Sequence, residues 1–237
     1  MPEHLTLYHH VQSIAKTTID ELKQLIKAGM TEREIVFITE KIMRNKGIEH
    51  FWYYGIGAFV HVGKRTTISE SGRHYSLSEI AVGRNDIVTI DLSPEISNYW
   101  GDYARTLTFI DGKVIDEEHT EDNQSALEFL HGINTVKKLH NVFMAYIKPD
   151  MTFEEVYLHM NEVIQNLGYI NLDFSGNLGH SIEFNKDHRK YFELGNKTRL
   201  NEVSYFTFEP HIKLKDGAYG YKREDIYYFK NGEAHVL

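Results

Sequence analysis

The sequence predicts an α+β fold built from two pseudo-symmetric αβ halves that share one sheet. Three observations predict it: helical and extended stretches come in blocks, one helix-opening motif occurs twice, and an acid closes a matching strand in each half. Residues 5–27 place Val11, Ile14, Ile19, Leu22, Leu25 and Ile26 at helical spacing, and Gly29 follows as a stop signal. Thr31-Glu32-Arg33-Glu34 is a capping box, in which hydroxyl and carboxylate each satisfy a free backbone N–H. It opens a second helix that runs to about Asn45, where Gly47 ends it. Three β-rich runs follow, 56–62, 87–92 and 104–110, separated by turns containing Gly and Ser. Residues 111–124 are polar and acidic, as suits a surface connection; helical periodicity returns over 125–146 and Pro149-Asp150 breaks it.

The second half then repeats the first. Met30-Thr31-x-x-Glu34-Ile35 is matched by Met151-Thr152-x-x-Glu155-Val156, and the same offset of 121 residues carries Gly47 onto Gly168 and Gly55 onto Gly176. Thr89-Ile90-Asp91 is echoed by Thr207-Phe208-Glu209 at an offset of 118. Capping boxes are common helix openings, so isolated matches arise by chance. A drift of three residues over a whole half favours duplication. Two halves sharing a sheet bring equivalent strand ends together, which argues for a single domain over 1–237.

Composition narrows the function classes. Lys plus Arg at 26 against Asp plus Glu at 34 gives a net charge of −8, unfavourable for nucleic acid or anionic lipid. Without cysteine, any metal site must use His, Asp and Glu. Met1-Pro2-Glu3-His4 lacks the basic and then apolar run of a secretory signal, and no stretch approaches the roughly 18 apolar residues of a membrane span. The expectation is a cytoplasmic protein, monomer or homodimer, with no nucleic-acid or membrane partner.

Five residues draw attention as metal ligands. Asp91 closes one strand and Asp102 opens the next, so a hairpin through 98–101 sets the two carboxylates side by side. Taken alone, Asp91 reads equally as solvent-facing or paired with Arg105. His180 follows Gly179 in a loop of small residues, Glu209 ends an aromatic strand before Pro210, and Glu224 precedes the apolar run 226–229. Each has an ordinary reading as surface or structural polarity. Together, four carboxylates and an imidazole on strand ends form an oxygen-rich set suited to two hard or borderline divalent cations.

Ile90-Asp91-Leu92, Gly101-Asp102-Tyr103-x-Arg105-Thr106, Gly179-His180-Ser181-Ile182, Phe208-Glu209-Pro210 and Arg223-Glu224-Asp225-Ile226 occur in one order. In that pattern the chain resembles the pita-bread metallopeptidases, which include methionine aminopeptidases, Xaa-Pro aminopeptidases and Xaa-Pro dipeptidases. The resemblance implies two αβ halves on a curved antiparallel sheet, without the separate N-terminal domain common in Xaa-Pro enzymes. It implies an exopeptidase acting on short peptides with two divalent metals, manganese, cobalt, zinc or iron. Asp91 would hold one metal, Asp102 and Glu224 would bridge both, and His180 and Glu209 would complete the other shell. Glu209 would double as general base and acid. His74, 17 residues before Asp91, resembles the family's upstream histidine, with His61 as a competitor for that place. His188, eight residues past His180, resembles the second accessory histidine. Glu183 and His211 depart from the pattern, standing where the family usually has glycine. The Tyr103-to-Thr106 stretch and the 29-residue gap from His180 to Glu209 lie closer to the Xaa-Pro branch. A methionine aminopeptidase-like activity, or an inert binding module on the same shell, are the alternatives.

Overall fold

The computed structural model describes residues 3–115 and 124–237. Met1 and Pro2, and residues 116–123 of the expected polar connection, lie outside the described residues. The first half runs α1 (Glu3–Leu25), α2 (Glu32–Asn45), β1 (His50–Phe51), β2 (Ala58–Val62), β3 (Asp86–Leu92), β4 (Pro94–Ile96), β5 (Tyr99–Trp100), β6 (Tyr103–Ile110) and β7 (Lys113–Ile115). The second runs α3 (Gln124–Tyr146), α4 (Phe153–Asn166), β8 (Tyr169–Asn171), β9 (Phe206–Phe208), β10 (His211–Leu214), β11 (Tyr221–Lys222), β12 (Asp225–Lys230) and β13 (Glu233–Val236).

The repeat in the sequence is a repeat in the fold. α1 and α3 each span 23 residues, and α2 and α4 each span 14. Thr31 accepts from Glu34 N at 3.2 Å and donates its own N–H to Glu34 Oε2 at 2.8 Å. Thr152 does the same with Glu155, at 3.2 and 2.7 Å. Past each helix, Gly55 (φ +75°) and Gly176 (φ +77°) take the same left-handed turn, which glycine adopts without a Cβ penalty. Both cap threonines form an isolated bridge, Thr31 with Ala81 and Thr152 with Arg199.

Every strand pair is antiparallel. One half-sheet has the order β2-β3-β6-β7, the other β13-β12-β9, and they meet at a bridge in which Glu224 N donates to Ala104 O at 3.0 Å. The shared sheet is therefore two half-sheets joined at one point. Arg105 braces this bridge: its Nη1 donates to both Ala104 O and Glu224 O at 2.8 Å. The β3–β6 connection is also more elaborate than the simple hairpin expected. β4 and β5 form a small hairpin of their own, turning through Ser97 (φ 51°) and Asn98 (φ 66°), and β1 pairs with β4.

Each half has its own apolar core, one built from residues such as Leu22, Ile35, Met43 and Ile90, the other from Phe143, Phe153, Met160 and Phe208. A third cluster, with Tyr8, Trp100, Ile182, Tyr205 and Ile226, joins the halves. Strand alternation assigns the remaining face. On β3, Val88, Ile90 and Leu92 enter the first core while Thr89 and Asp91 line a cavity. Among the described residues, no helix is long and apolar enough to cross a membrane.

Candidate active site

The cavity, of about 240 Å³, opens over the seam where the half-sheets meet. Asp91, Asp102, His180 and Glu209 line it. Glu224 lies beneath, completely buried, and ligand atoms of Asp102, His180 and Glu224 fall within 4.8 Å of one another. Of the five expected ligands, two come from the first half and three from the second.

Local backbone geometry aims them. Asp91 pairs with Ala104 across β3 and β6, so Asp102, two residues before Ala104, projects from the same face. Gly179 has φ +131°, and a Cβ there would lie 2.6 Å from Thr207 O, so glycine is required for the chain to run this close to β9. His180 is thereby seated: its N–H donates to Thr207 Oγ1 at 3.0 Å and its carbonyl accepts from Thr207 N at 2.7 Å. Glu209 N donates to Leu178 O at 3.0 Å, which fixes the next turn of chain beside it.

The electrostatics of the set call for a cation. His180 Nδ1 lies 3.1 Å from Ser181 O, so it carries the proton and Nε2 presents a lone pair. That lone pair faces Asp102 Oδ2 at 3.5 Å and Glu209 Oε1 at 3.9 Å. A proton on His180 cannot settle the clash at neutral pH, because burial, with help from Arg189, pulls its pKa down to about 3. Burial first, and then Asp91 and Glu209, push the Asp102 carboxyl well above the ordinary range. Glu224 is raised likewise by burial and by Asp102, and neither of its oxygens has a hydrogen-bond partner. Glu209 rises to about 7, again mainly by burial. The buried Glu224 carboxylate, without a hydrogen-bond partner and converging with Asp102 and an imidazole lone pair, fits a divalent metal.

One positive charge is already present. Lys222 Nζ lies 2.5 Å from Asp91 Oδ2 and 3.3 Å from Glu209 Oε2, and these two acids hold the ammonium protonated well above its ordinary range. The sequence left Asp91 open to pairing with Arg105. Arg105 instead binds Asp225 Oδ1 at 2.7 Å, on the opposite side of the sheet from the cavity. Asp225 is fully enclosed by Arg105, Arg223 and His140.

The accessory histidines are not where the spacing pointed. His74 is exposed after the turn at Gly72, and His188 is exposed at the end of a short 3-10 turn, with Nε2 3.4 Å from Asn185 Nδ2; neither lines the cavity. Both lie in charged, Ser- and Asn-containing loops, where solvation outweighs a place inside. Besides His180, the imidazoles that line the cavity are His61 and His211, both buried. His61 Nε2 donates to Glu70 Oε1 at 3.2 Å and His211 Nε2 donates to Thr66 O at 2.7 Å. Burial lowers both pKa values, that of His211 to about 3, so both rings are neutral donors. His61 was legible as a rival to His74 and also stands on β2 where His180 stands in the other half, each beside the central threonine, Thr89 or Thr207. Glu183 accepts from Ser181 Oγ at 2.7 Å and its carbonyl accepts from Trp100 Nε1 at 2.9 Å, a structural place at the seam.

The mouth of the cavity is aromatic. Arg189 lies over the rings of Trp52 and Tyr191 at 5.0 and 5.5 Å, with Phe174 exposed nearby. Nothing in the spacing of the sequence marked these residues, since they meet only through the fold.

Comparison with known proteins agrees with this geometry. The profile of Metallopeptidase family M24 matches residues 6–231. The X-Pro aminopeptidase of Thermotoga maritima superposes with a TM-score of 0.77 at 22% identity, over 98% of this chain and 59% of that one. Prolidase from Pyrococcus furiosus gives 0.77 at 22% identity, over 100% and 64%. The methionine aminopeptidase of Thermotoga maritima gives 0.76 at 15% identity, over 100% and 96%. This chain thus spans about three-fifths of the two proline-peptidase chains and nearly all of the methionine aminopeptidase. No curated protein matches it. With the profile covering almost its whole length and the pita-bread fold shared with these structures, the chain belongs to metallopeptidase family M24.

Proposed function

We propose that the chain is a metal-dependent exopeptidase that releases the N-terminal residue of short peptides, preferentially of Xaa-Pro type, in the cytoplasm. The observation that carries this reading is the His180 lone pair aimed at buried carboxylates, with both oxygens of Glu224 unpartnered at the floor of an open cavity. Asp91, Asp102, His180, Glu209 and Glu224 form the ligand set, enough for two divalent ions, and bound metal supplies Lewis acidity and an acidified water. Glu209, the ligand carboxylate that lines the cavity beside Lys222, would take up the proton of the attacking water and return it to the departing amine. His61 and His211 line the cavity wall as neutral rings whose single N–H is committed to Glu70 Oε1 and Thr66 O, so they shape the wall beside the substrate rather than donate to it. The motif from Gly101 to Thr106 and the proline-peptidase relatives support the Xaa-Pro preference.

The second reading is a methionine aminopeptidase-like specificity, favoured by a superposition on that relative (TM-score 0.76) about as good as on the proline peptidases. Hydrolysis of Ala-Pro, an Ala-Pro-extended peptide and Met-Ala, each with manganese, cobalt or zinc, separates the two. Glu209→Gln should lower turnover by about two to four orders of magnitude while metal is retained. Metal-loaded wild type that cleaves none of the peptides, or Glu209→Gln at full rate, replaces the enzyme with an inert binding module.

A further inference from the structure

His211 stands where the pita-bread pattern usually has glycine, so a ring fills part of the wall that a glycine would leave open. It comes two residues after Glu209, pairs with Lys222 across β10 and β11, and lines the cavity together with both. The imidazole has no room to retreat. Its Nε2 donates to Thr66 O at 2.7 Å, and a Cβ added at Gly220 would collide with Thr66 O and lie 2.9 Å from that Nε2. Gly220 N in turn donates to Thr66 Oγ1 at 2.9 Å. Ring, glycine and the strap 63–70 that follows β2 are therefore packed against one another.

These contacts close one end of the cavity. His61 and His211 are buried there with Thr66 buried behind them, whereas Phe174, Ser175 and Glu193 stand exposed at the mouth. That asymmetry orients the substrate of an exopeptidase. The N-terminal residue has no chain before it and fits the closed end, while the rest of the peptide must leave through the open one. The first side chain then lies against Phe59, His61, Ile68 and His211. The strap cannot swing aside to enlarge this space, because Thr66 is tied to both His211 and Gly220, and Phe174 N of the other half donates to Ser69 Oγ at 3.1 Å.

We infer that His211 sets the size of the N-terminal residue, so that the chain releases Gly or Ala and excludes Leu, Met and Phe. This rests on the exopeptidase reading and narrows its substrate class, against the methionine aminopeptidase-like specificity. A single methylene at the wall of such a pocket changes kcat/KM by about 10- to 200-fold, and Leu exceeds Ala by more than that, so the two should differ by at least about a hundredfold.

The test compares Ala-Pro with Leu-Pro, and Ala-Ala with Leu-Ala and Met-Ala, on manganese-loaded full-length protein. Wild type should show kcat/KM for the Ala peptide at least about a hundredfold above that for its larger counterpart in either pair. His211→Gly should bring the ratio within about tenfold. His211→Asn, which keeps a donor toward Thr66 O on a smaller side chain, should shift the ratio in the same direction, and His211→Leu, which keeps the volume and loses the donor, should stay as selective as wild type. A purely structural role would lower all the rates together and leave the ratio unmoved. Wild type that cleaves Leu or Met peptides as fast as Ala peptides overturns the inference and leaves the exopeptidase reading standing. So does His211→Gly with wild-type circular dichroism and an unchanged ratio. Should that variant misfold, the wild-type ratio together with His211→Asn decides in the same way. Wild type that cleaves none of the peptides overturns the exopeptidase reading and this inference together.

Discussion

Glu224 shows most sharply what the site asks of single residues. Its pKa without metal is raised above the unfolded value, so between the two values the native state holds more protons and stability falls as pH rises. Glu224→Gln abolishes this loss. The metal-free variant should gain on metal-free wild type above about pH 4.3, by about 1.4 kcal/mol for each pH unit until the folded pKa is passed, with the gap closing below pH ~4.3. His140, His180 and His211, lowered to about 3, work in the opposite sense, losing stability as pH falls below the unfolded histidine value, but they are common to both proteins and cancel. Urea denaturation of chelator-treated protein across pH 4 to 8 checks this; a gap that does not grow with pH contradicts it. The cavity histidines give a second contrast. His61→Ala, which removes a ring from the cavity wall together with its bond to Glu70, should lower kcat/KM more than His74→Ala, whose ring is exposed and outside the cavity. The acids and His180 were legible because short motifs place them at strand ends. Lys222 was not, because its partners lie 131 and 13 residues away, and only the facing of β11 toward the cavity selects Asp91 over solvent.

Elements behave as matched pairs. Thr31 and Thr152 make the same reciprocal bonds at the same cap angles, φ −82° with ψ 159° and φ −85° with ψ 156°. Thr31→Ala and Thr152→Ala should each cost about 0.5–2 kcal/mol, by similar amounts, since each removes the hydroxyl that accepts from Glu34 N or Glu155 N at the start of a 14-residue helix. Chemical denaturation of the two variants measures it, and a several-fold difference would show that the helices are not held equivalently. These helices could be read from sequence because caps and apolar periodicity are local. β1, β5 and β11, of two residues each, could not: a strand that short carries no alternation, and its partner decides its existence. The β4–β5 hairpin was hidden for the same reason, since Ser97 and Asn98 both take left-handed angles that their residue types permit without announcing.

For the whole molecule, neither half has a complete site, since Asp91 and Asp102 come from the first half and His180, Glu209 and Glu224 from the second. We take residues 1–237 as one unfolding unit on that ground. Saturating manganese, cobalt or zinc should raise the melting temperature of a single transition, by the equivalent of about 4 kcal/mol at a thousandfold excess over Kd. Chelator should reverse it; two separable transitions, or no shift with any of the metals, would count against a site that spans both halves. The mirrored architecture also bears on descent. Asp91 answers to Glu209 and His61 to His180, as residues answer across the axis of a homodimer. An ancestral half-length chain would have met its own copy along this seam, and fusion would have let one histidine turn ligand while its twin turned to the cavity wall. If that history is written in the contacts, the segments 1–115 and 124–237, produced as separate chains, should still find each other, and the mixture should bind metal that neither holds alone.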